Sequence, residues 1–445
     1  MLDPTNFDSS HTLLEPQGFC TVPSLGEPKG THGVGRRTPN RFDLYQQSNL
    51  TLNQVRVWIA QALVPEVPIY HLPAILNICG DIDPKNFQKA FQVLINSSDA
   101  LRTVVEEIDG IPTRRVLPEL KYVLDFVDLS HLPKERQRAK SLMEERCQIP
   151  LNWQERLFDS ALIKLASTEF LWYLNVHHLI CDGWSFELIY RHMADLYQRS
   201  LRGYLPKAIT LLPFADYIAH EHAHRKSSRY QKAEAYWKRE LTEDAGQISF
   251  YGKVPLTVTT GVRRISYDLG PDLTKRLRSV ATSTPSWTEQ TSLLGIFVAV
   301  LVAYLHCMDG KQNYTIGIPF HNRRSKTFKE TLGLFSEILP VRIGTADDDT
   351  FASLTRKVRE EVFKAARHGQ HSIANPHFKK IYEVVVNYHT HSFREFAGMP
   401  ASPGWIHSGH GDDSFALHVH DFRASGNIVL DFELHQATFN EQQSE

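Results

Sequence analysis

The segment FLWYLNVHHLICDGWSFELIYRHMADLYQ, residues 170–198, decides the fold of this chain. Its first seven residues form a continuous apolar run of the kind that fills a buried strand. From Ser185 to Leu201, apolar residues recur mostly three or four positions apart, which predicts an amphipathic helix. The polar stretch between them therefore lies at a strand-to-helix junction, where side chains can leave a core and face a cleft.

The residue types at this junction suit acyl transfer. An imidazole with a pKa of about 6.5 can take a proton from an attacking amine or alcohol, and N–H groups at a helix start can stabilise an oxyanion. Because neighbours on an extended segment point in opposite directions, one of His177 and His178 can face the cleft while the other packs inward. Asp182 or Ser185 can cap the helix, Asp182 can also hold a distant arginine, and Gly183 lets the backbone turn tightly beside a ligand.

Helices and strands alternate on both sides of this junction. The periodicity predicts helices over 51–63, 84–97, 272–282 and 288–307, and a surface helix with a crossover over 220–244. It predicts strands over 75–82, 103–107, 113–116, 263–269, 314–319, 384–388, 415–421 and 428–435. For a chain of 445 residues this mixture predicts two α/β lobes. We expect a disordered arm over 1–45, an N-terminal lobe over 46–225 and a C-terminal lobe over 226–445.

Composition limits the partners and the compartment. Lys plus Arg is 49 and Asp plus Glu is 50, so a net charge of −1 gives no global field for nucleic acid or an anionic membrane. The apolar run 293–308 is shorter than a membrane span, which favours a buried core helix. Five scattered cysteines and the lack of a secretory signal predict reduced thiols in a cytoplasmic protein.

Several motifs along the chain carry a family resemblance. HHLICDG (177–183) matches the signature HHxxxDG. The others, in chain order, are TLNQVRVW (51–58), SDALRT (98–103), FADY (214–217) followed by Tyr236 and Trp237, IGIPFHNR (316–323) and LGLFSEILPVR (332–342). In this order the chain resembles the condensation domains of nonribosomal peptide synthetases, members of the chloramphenicol-acetyltransferase-like superfamily.

The resemblance implies an α/β fold of two chloramphenicol-acetyltransferase-like lobes that form a V, with the active site in a tunnel between them. It implies that His178 is the catalytic histidine, as general base or orienting group, and that His177 and Asp182 are structural. Asp182 would pair with Arg323, beside Asn322, across the lobes, and Gly183 would offer its backbone N–H.

The resemblance also implies a reaction and its partners. An acyl thioester on the phosphopantetheine arm of a carrier protein would react with a small or carrier-bound amine or alcohol, in nonribosomal peptide or hybrid polyketide biosynthesis. Amide and ester formation both remain open. We expect a free-standing monomer that binds no cofactor and no metal of its own.

Other residues are expected near the tunnel. Candidate tunnel or acceptor-site residues are Trp184, Ser185, Glu337, Tyr388 and Ser408. A loop with Trp405, His407 and Ser408 would latch the tunnel, whereas His389 and His391 either line the cleft or pack in the core. The chain departs from the family at Glu337, where Asn is usual, at 369–373, which match HQDxPFE faintly, and at its short C-terminal end.

A zinc hydrolase is a different hypothesis for the same chain. His220, Glu221 and His224 satisfy HExxH on a predicted helix, and Glu240 is a possible third ligand. We favour a solvated helix face, because the stretch 217–238 is charged throughout and offers no apolar floor for a metal site.

An epimerase and a non-catalytic binding module are two further hypotheses. Epimerases share HHxxxDG, but their EGHGRE element stands where this chain has HNRR (321–324), and SGHGD (408–412) falls at a different place. Intact His178, Asp182 and Arg323 argue against a module that only recruits carrier proteins. Cys181 is expected to be a small buried residue rather than a covalent nucleophile.

Overall fold

The structure is a computed structural model that describes residues 41–241, 248, 250, 259–282, 288–369, 381–390, 393–421 and 426–444. Its helices are α1 (Arg41–Gln47), α2 (Leu52–Ala62), α3 (Pro84–Ser97), α4 (Glu135–Cys147), α5 (Gly183–Leu201), α6 (Phe214–His224), α7 (Ser228–Glu240), α8 (Gly270–Thr282), α9 (Glu289–Asp309), α10 (Lys326–Lys329), α11 (Phe351–His368) and α12 (Glu441–Ser444).

The strands of the described residues form two six-stranded sheets and one hairpin. They are β1 (His71–Cys79), β2 (Thr103–Ile108), β3 (Ile111–Val116), β4 (Asp125–Asp128), β5 (Phe158–Ala166), β6 (Glu169–His177), β7 (Val262–Asp268), β8 (Asn313–Phe320), β9 (Glu337–Gly344), β10 (Val384–Thr390), β11 (Glu395–Phe396), β12 (Met399–Trp405), β13 (Phe415–Asp421) and β14 (Ile428–His435). Strands mixed with helices on both sheets confirm the predicted α/β class.

The first sheet has the strand order β11-β12-β1-β6-β5-β4. Its central strand β6 is buried at every position after Glu169, which confirms the strand predicted from the apolar run. Trp172 of this strand packs against aromatic rings of α3 and α5, among them Phe87 and Tyr190. The core of this sheet therefore fixes where β6 ends and α5 begins.

The second sheet has the order β7-β14-β13-β10-β8-β9. Helices α9 and α11 pack on it and share a core that includes Val298, Val302, Val358 and Val384. By length and composition α9 is the one described helix that could cross a membrane. In the structure most of its apolar side chains lie in this core, as the sequence predicts.

Strands β11 and β12 join the first sheet although they lie between β10 and β13 of the second. Strand β12 pairs antiparallel with β1, with Trp405 opposite Ala74. Residues 395–405 thus cross from one sheet to the other, inside the stretch 226–445 that we assigned to the C-terminal lobe. Sequence periodicity does not reveal this crossover, because the pairing partner is more than 300 positions away.

Two sequence predictions need correction at their boundaries. The strand predicted over 75–82 runs over His71–Cys79. Its length follows from its antiparallel pairing with β6, in which His71 lies opposite His177 and Cys79 lies opposite Glu169. Residues 1–40 of the arm predicted over 1–45 lie outside the described residues. The end of the predicted arm is wrong, because helix α1 begins at Arg41 and its Leu44 and Tyr45 are buried. Strand β5 and helices α4 and α11 have no counterpart among the predicted elements.

Candidate active site

His178 begins a short 3-10 turn at the junction between β6 and α5. This turn spans His178–Ile180, directly after the end of β6. The backbone N–H of His178 donates to the carbonyl of Tyr70 at 2.8 Å, and the Gln54 side chain donates to the carbonyl of Leu179 at 2.9 Å. Helix α2 and Tyr70, the residue before strand β1, therefore fix the turn from two sides.

The ring of His178 is held by the same turn. Its Nδ1 lies 2.8 Å from the carbonyl oxygen of Cys181. A carbonyl only accepts hydrogen bonds, so Nδ1 carries the proton and the neutral ring keeps a lone pair on Nε2. Burial lowers the pKa of His178 below its ordinary value, against smaller raising effects of the Cys181 carbonyl and the Asp182 charge. A half-buried neutral imidazole can serve as a general base.

His177 is the inward-facing histidine. It is only 1% exposed, its Nδ1 accepts the N–H of Leu179, and its ring packs edge-on against Trp153. Its Nε2 lies 3.4 Å from Oε1 of Gln61. Burial lowers the pKa of His177 well below its ordinary value, so the ring is neutral and structural. The two histidines do diverge as predicted, although His178 has already left the strand.

Asp182 and Arg323 form a buried ion pair at the N-terminus of α5. Nη2 of Arg323 lies 2.7 Å from Oδ1 of Asp182, and the two side chains are 0% and 1% exposed. The other carboxylate oxygen accepts the N–H groups of Phe335 and Ser336 at 3.0 and 3.1 Å. Burial alone would raise the pKa of Asp182, but Arg323 and these hydrogen bonds outweigh it and lower the pKa. The geometry thus contains the pair that the resemblance implies.

Ser185 is the second residue of this buried network. Asp182 caps α5 by accepting the N–H of Ser185, and Arg323 donates to the Ser185 hydroxyl at 2.9 Å. The same hydroxyl accepts the N–H of Gly333 at 3.1 Å. Ser185 therefore ties α5 to residues 323–336, in a role other than the tunnel lining that we predicted.

Gly183 is the first residue of α5 and is exposed. A side-chain Cβ placed there would meet no heavy atom within 4 Å, and the residue does not have a positive φ. The backbone turn that we expected it to permit does not need glycine. The space next to the backbone N–H of Gly183 is open, and this N–H has no hydrogen-bond partner within its helix. A substrate therefore has room to bind there.

Asn322 and Arg323 follow strand β8. Asn322 has a positive φ of 43°, which Asn adopts more readily than most residues, and its amide donates to Glu337 at 3.2 Å. The turn at Asn322 directs Arg323 into the core, where its guanidinium lies 3.9 Å from the centre of the Phe335 ring. The motif HNR thus places one amide and one guanidinium at the junction.

The remaining predicted tunnel residues are spread over the molecule. Trp184 is 39% exposed, and its indole N–H donates to the carbonyl of Lys329. Ser408 is buried in the loop after β12, and its carbonyl accepts from Gln148. Tyr388 donates to Asp421 on the helix-covered face of the second sheet, so the structure does not bring Tyr388 to His178.

His389, one of the two histidines predicted at the cleft or in the core, belongs to a cluster of rings with His418 and His420. His389 stacks on His420 of β13 at 5.0 Å and lies 6.1 Å from the ring of Trp405. His407 lies 3.1 Å from Glu433 of β14, so the loop after β12 contacts the second sheet. His391 falls outside the described residues.

The HExxH residues of α6 have other contacts. Glu221 Oε1 accepts the N–H of Leu52 at 2.8 Å, at the start of α2. The rings of His220 and His224 stack at 6.1 Å, and the described residues contain no group of His, Cys, Asp and Glu that could hold a metal ion. The expectation that 217–238 lacks an apolar floor is wrong, because Ile218 and Trp237 are buried.

Two features of the site escaped the sequence interpretation. Arg56 of α2 donates to the Tyr382 hydroxyl at 3.3 Å, and its charge acts on His178. Burial, together with the charge of Glu337, raises the pKa of Glu221 to about 7. Arg56 stands in the motif TLNQVRVW and so carried a signal, whereas the approach of Glu221 to Glu337 depends on tertiary structure.

Cys181 is a buried thiol without nucleophilic character. Burial raises its pKa well above the ordinary value, with a further raising effect of Asp182. Only the thiolate is a good nucleophile, so this environment keeps the sulfur unreactive.

Comparisons with known proteins agree on one family. The family model described as "Condensation domain" matches residues 45–445. The dimodular nonribosomal peptide synthase of Bacillus subtilis is 23% identical over 91% of this chain, and the match covers 17% of that protein. The isonitrile lipopeptide synthase of Streptomyces coeruleorubidus is 26% identical over 73% of this chain, covering 22% of that protein. The chain thus spans a small fraction of these curated relatives.

Solved structures show the same fold. The first condensation domain of the calcium-dependent antibiotic synthetase, in complex with a substrate analogue, has a TM-score of 0.79 and 24% identity, and the match covers 88% of this chain and 92% of that one. The starter condensation domain of rhizomide synthetase, in complex with C8-CoA and Leu-SNAC, has a TM-score of 0.77 and 20% identity, with 88% and 90% covered.

Proposed function

Because the chain belongs to the condensation domain family, we propose that it joins an acyl group from a phosphopantetheine thioester on a carrier protein to an amine or alcohol acceptor. The observation that carries this proposal is the ring of His178, whose Nδ1–H is fixed on the Cys181 carbonyl. That hydrogen bond leaves Nε2 as the basic nitrogen of a neutral imidazole. One structural neighbour, the starter condensation domain of rhizomide synthetase, is in complex with C8-CoA and Leu-SNAC, which supports a thioester donor.

The proposed reaction follows from this base. Nε2 of His178 takes a proton from the acceptor nitrogen or oxygen as it attacks the thioester carbonyl. The tetrahedral intermediate then collapses, the C–S bond breaks, and the imidazolium returns the proton to the leaving thiolate. The backbone N–H of Gly183, at the positive end of α5, can donate to the developing oxyanion.

Asp182 and Arg323 act indirectly in this proposal. Both are buried and hydrogen-bonded to each other, so neither can exchange protons with a substrate. We infer that they position α5, and with it Gly183 and the His178 turn, against residues 323–336. The reaction class follows from the base, whereas the bond type depends on the acceptor, so amide and ester products both fit.

Intact mass spectrometry of loaded acyl carrier proteins tests the proposal directly. The wild-type chain should remove the acyl group from the carrier in the presence of a matching amine or alcohol, and His178→Ala should not. If the acyl group transfers at an undiminished rate with His178→Ala, the proposed role of His178 fails. If no carrier in a broad panel is unloaded by the wild type while carriers bind to it, a recruiting module replaces the enzyme.

A further inference from the structure

A small cavity lies between helices α6 and α7, the loop after β8 and the start of β9. It encloses about 270 Å³, and its lining includes two carboxylates and two guanidiniums, those of Glu221, Glu337, Arg229 and Arg324. Glu337 is only 6% exposed, whereas both arginines are exposed. The buried carboxylate therefore marks the inner end of the cavity, and the arginines mark its rim. The volume lies just below the range of about 300–1,000 Å³ that holds drug-sized ligands, so it suits a smaller molecule.

The two carboxylates of the cavity lie close enough to disfavour each other's charge. Burial raises the pKa of Glu221 to about 7, and the charge of Glu337 adds to this rise more than Arg225 opposes it. Glu221 accepts the N–H of Leu52 and Glu337 accepts the amide of Asn322, and both of these donors are neutral. A carboxylate has about four acceptor positions, so both groups can accept further hydrogen bonds. A cation between them would remove their repulsion.

The two guanidiniums at the rim also disfavour each other's charge. Burial lowers the pKa of Arg324, and the charge of Arg229 lowers it further. Arg324 donates to the carbonyl of Ala366 at 2.8 Å, and within the described ranges neither arginine forms an ion pair with a carboxylate. A guanidinium has five donors in a planar fork that matches a carboxylate. The rim therefore offers two cations to one anionic group.

We propose that this cavity binds a free α-amino acid, with its ammonium group on the two acids and its carboxylate on the two arginines. A ligand with both charges relieves both repulsions at once, whereas a simple amine or a simple anion relieves only one of them. The lining of the cavity does not include His178, so the site is separate from the proposed reaction and does not rest on it.

A bound amino acid would connect two parts of the junction around Asp182. Helices α6 and α7 supply one acid and one arginine, and the segment 322–337 supplies the other two. The same segment holds the Asp182 carboxylate through Arg323 and two backbone N–H groups. A ligand that bridges these parts stabilises the folded chain in proportion to its occupancy. The amino acid is thus an effector of the junction rather than a reactant.

Calorimetry with a panel of free L-amino acids tests the site without catalysis. For each amino acid that binds, the N-acetyl derivative lacks the cation and the carboxamide lacks the anion, so each should bind at least about tenfold more weakly. Arg229→Ala and Glu337→Asn should each weaken binding of the parent amino acid by a similar factor. Arg239→Ala, on α7 but paired with Glu240 and outside the cavity lining, is the matched control and should bind as the wild type does.

Thermal unfolding is the second measurement, and it needs only variants that fold. A saturating amino acid should raise the Tm of the wild type and of Arg239→Ala, and it should raise the Tm of Arg229→Ala much less. Arg229 is exposed, so its loss should not prevent folding. No saturable binding by any amino acid of the panel overturns the proposal. Equal binding of the carboxamide or of the N-acetyl derivative also overturns it, because the site would then recognise a single charge.

The variant His178→Ala separates this inference from the proposed function. It should bind the amino acid as the wild type does, because His178 is not part of the cavity lining. Loss of binding in a folded His178→Ala would place the ligand at the reaction site and overturn the separate site. Amino-acid binding by a chain that transfers no acyl group from any carrier would leave the cavity assignment standing and sink the proposed function.

Discussion

At its Asp182 end, the segment 177–183 has a carboxylate with five donor contacts, from Arg323, Phe335, Ser336 and both the amide and hydroxyl of Ser185. At its His178 end, one ring nitrogen is held by a carbonyl, and Nε2 has no hydrogen bond within the described part of the chain. Only three residues therefore lie between a carboxylate whose hydrogen-bonding capacity is used and an imidazole nitrogen that is available to a substrate. A buried network that is fully bonded can fix structure, while a nitrogen with a lone pair can do chemistry.

The largest expected effect is on catalysis at the His178 end. His178→Ala should lower acyl transfer by about 10²–10⁴-fold, because the base is lost. Its thermal unfolding should change little, since the half-buried ring makes a single hydrogen bond. The exposed His131→Ala is the control, with unchanged transfer. A destabilised His178→Ala would erase the contrast between the two ends.

The opposite profile is expected at the Asp182 end. Arg323→Ala should destabilise the fold by about 3–5 kcal/mol in urea unfolding, because it leaves Asp182 buried without its cation. Arg191→Ala is the matched control, since it breaks an ion pair with Glu330 whose side chains are 50% and 52% exposed. That exposed pair should contribute only about 0–1 kcal/mol. Equal losses in the two variants would show that burial of the Asp182 pair does not matter.

Glu221 is a second buried carboxyl, and its surroundings disfavour the charged form, whereas those of Asp182 favour it. Its pKa is raised from 4.5 to about 7, so the folded state binds more protons than the unfolded state between these values. Stability should therefore fall as the pH rises through this window, and the loss should persist above it. Glu221→Gln should raise stability above the window by about 1–3 kcal/mol and change it little below the window. Glu144→Gln, at an exposed position of α4, is the matched control for the loss of one carboxylate.

The smallest expected effect on stability is at Gly183. The free energy of unfolding of Gly183→Ala should lie within about 0.5 kcal/mol of the wild-type value or slightly above it, because alanine suits a helix and nothing obstructs its Cβ. Transfer should nevertheless slow, as the methyl group enters the substrate space. Gly333→Ala is the contrasting control, since a Cβ there would lie 2.0 Å from the Phe214 ring and should destabilise the fold. Unchanged transfer by Gly183→Ala would exclude a substrate contact at this residue.

Local patterns predicted the junction and its neighbours well. The apolar run before His177 became β6, and the capping Thr51 of α2 makes the capping box. These elements are predictable because propensity, periodicity and caps act within a few residues. The pairing of Asp182 with Arg323 came from the family resemblance, since the two residues are 141 positions apart.

Contacts between segments that are far apart in the chain could not be predicted from local sequence patterns. The crossover of β12 to β1 is fixed by strand pairing that no periodicity encodes. Successive side chains of a strand point to opposite faces, so Tyr388 and His389 lie on different sides of β10. Tyr388 therefore packs on the helix-covered face, where it donates to Asp421. Glu221 looked like part of a zinc motif, but the approach of α2 gave it the Leu52 N–H as its partner.

The pH dependence of kcat/KM for the acyl donor, at a fixed saturating concentration of unprotonated acceptor, tests the central claim most directly, with the fold checked by circular dichroism at each pH. His178 must be neutral to act as a base, and its pKa is lowered below the ordinary 6.5. The rate should therefore stay level down through neutral pH and decline only below about pH 6.5, as the ring is protonated. The residual rate of His178→Ala should lack this limb. A rate that already declines above neutral pH, or the same limb in His178→Ala, would contradict the assignment of His178 as the working base.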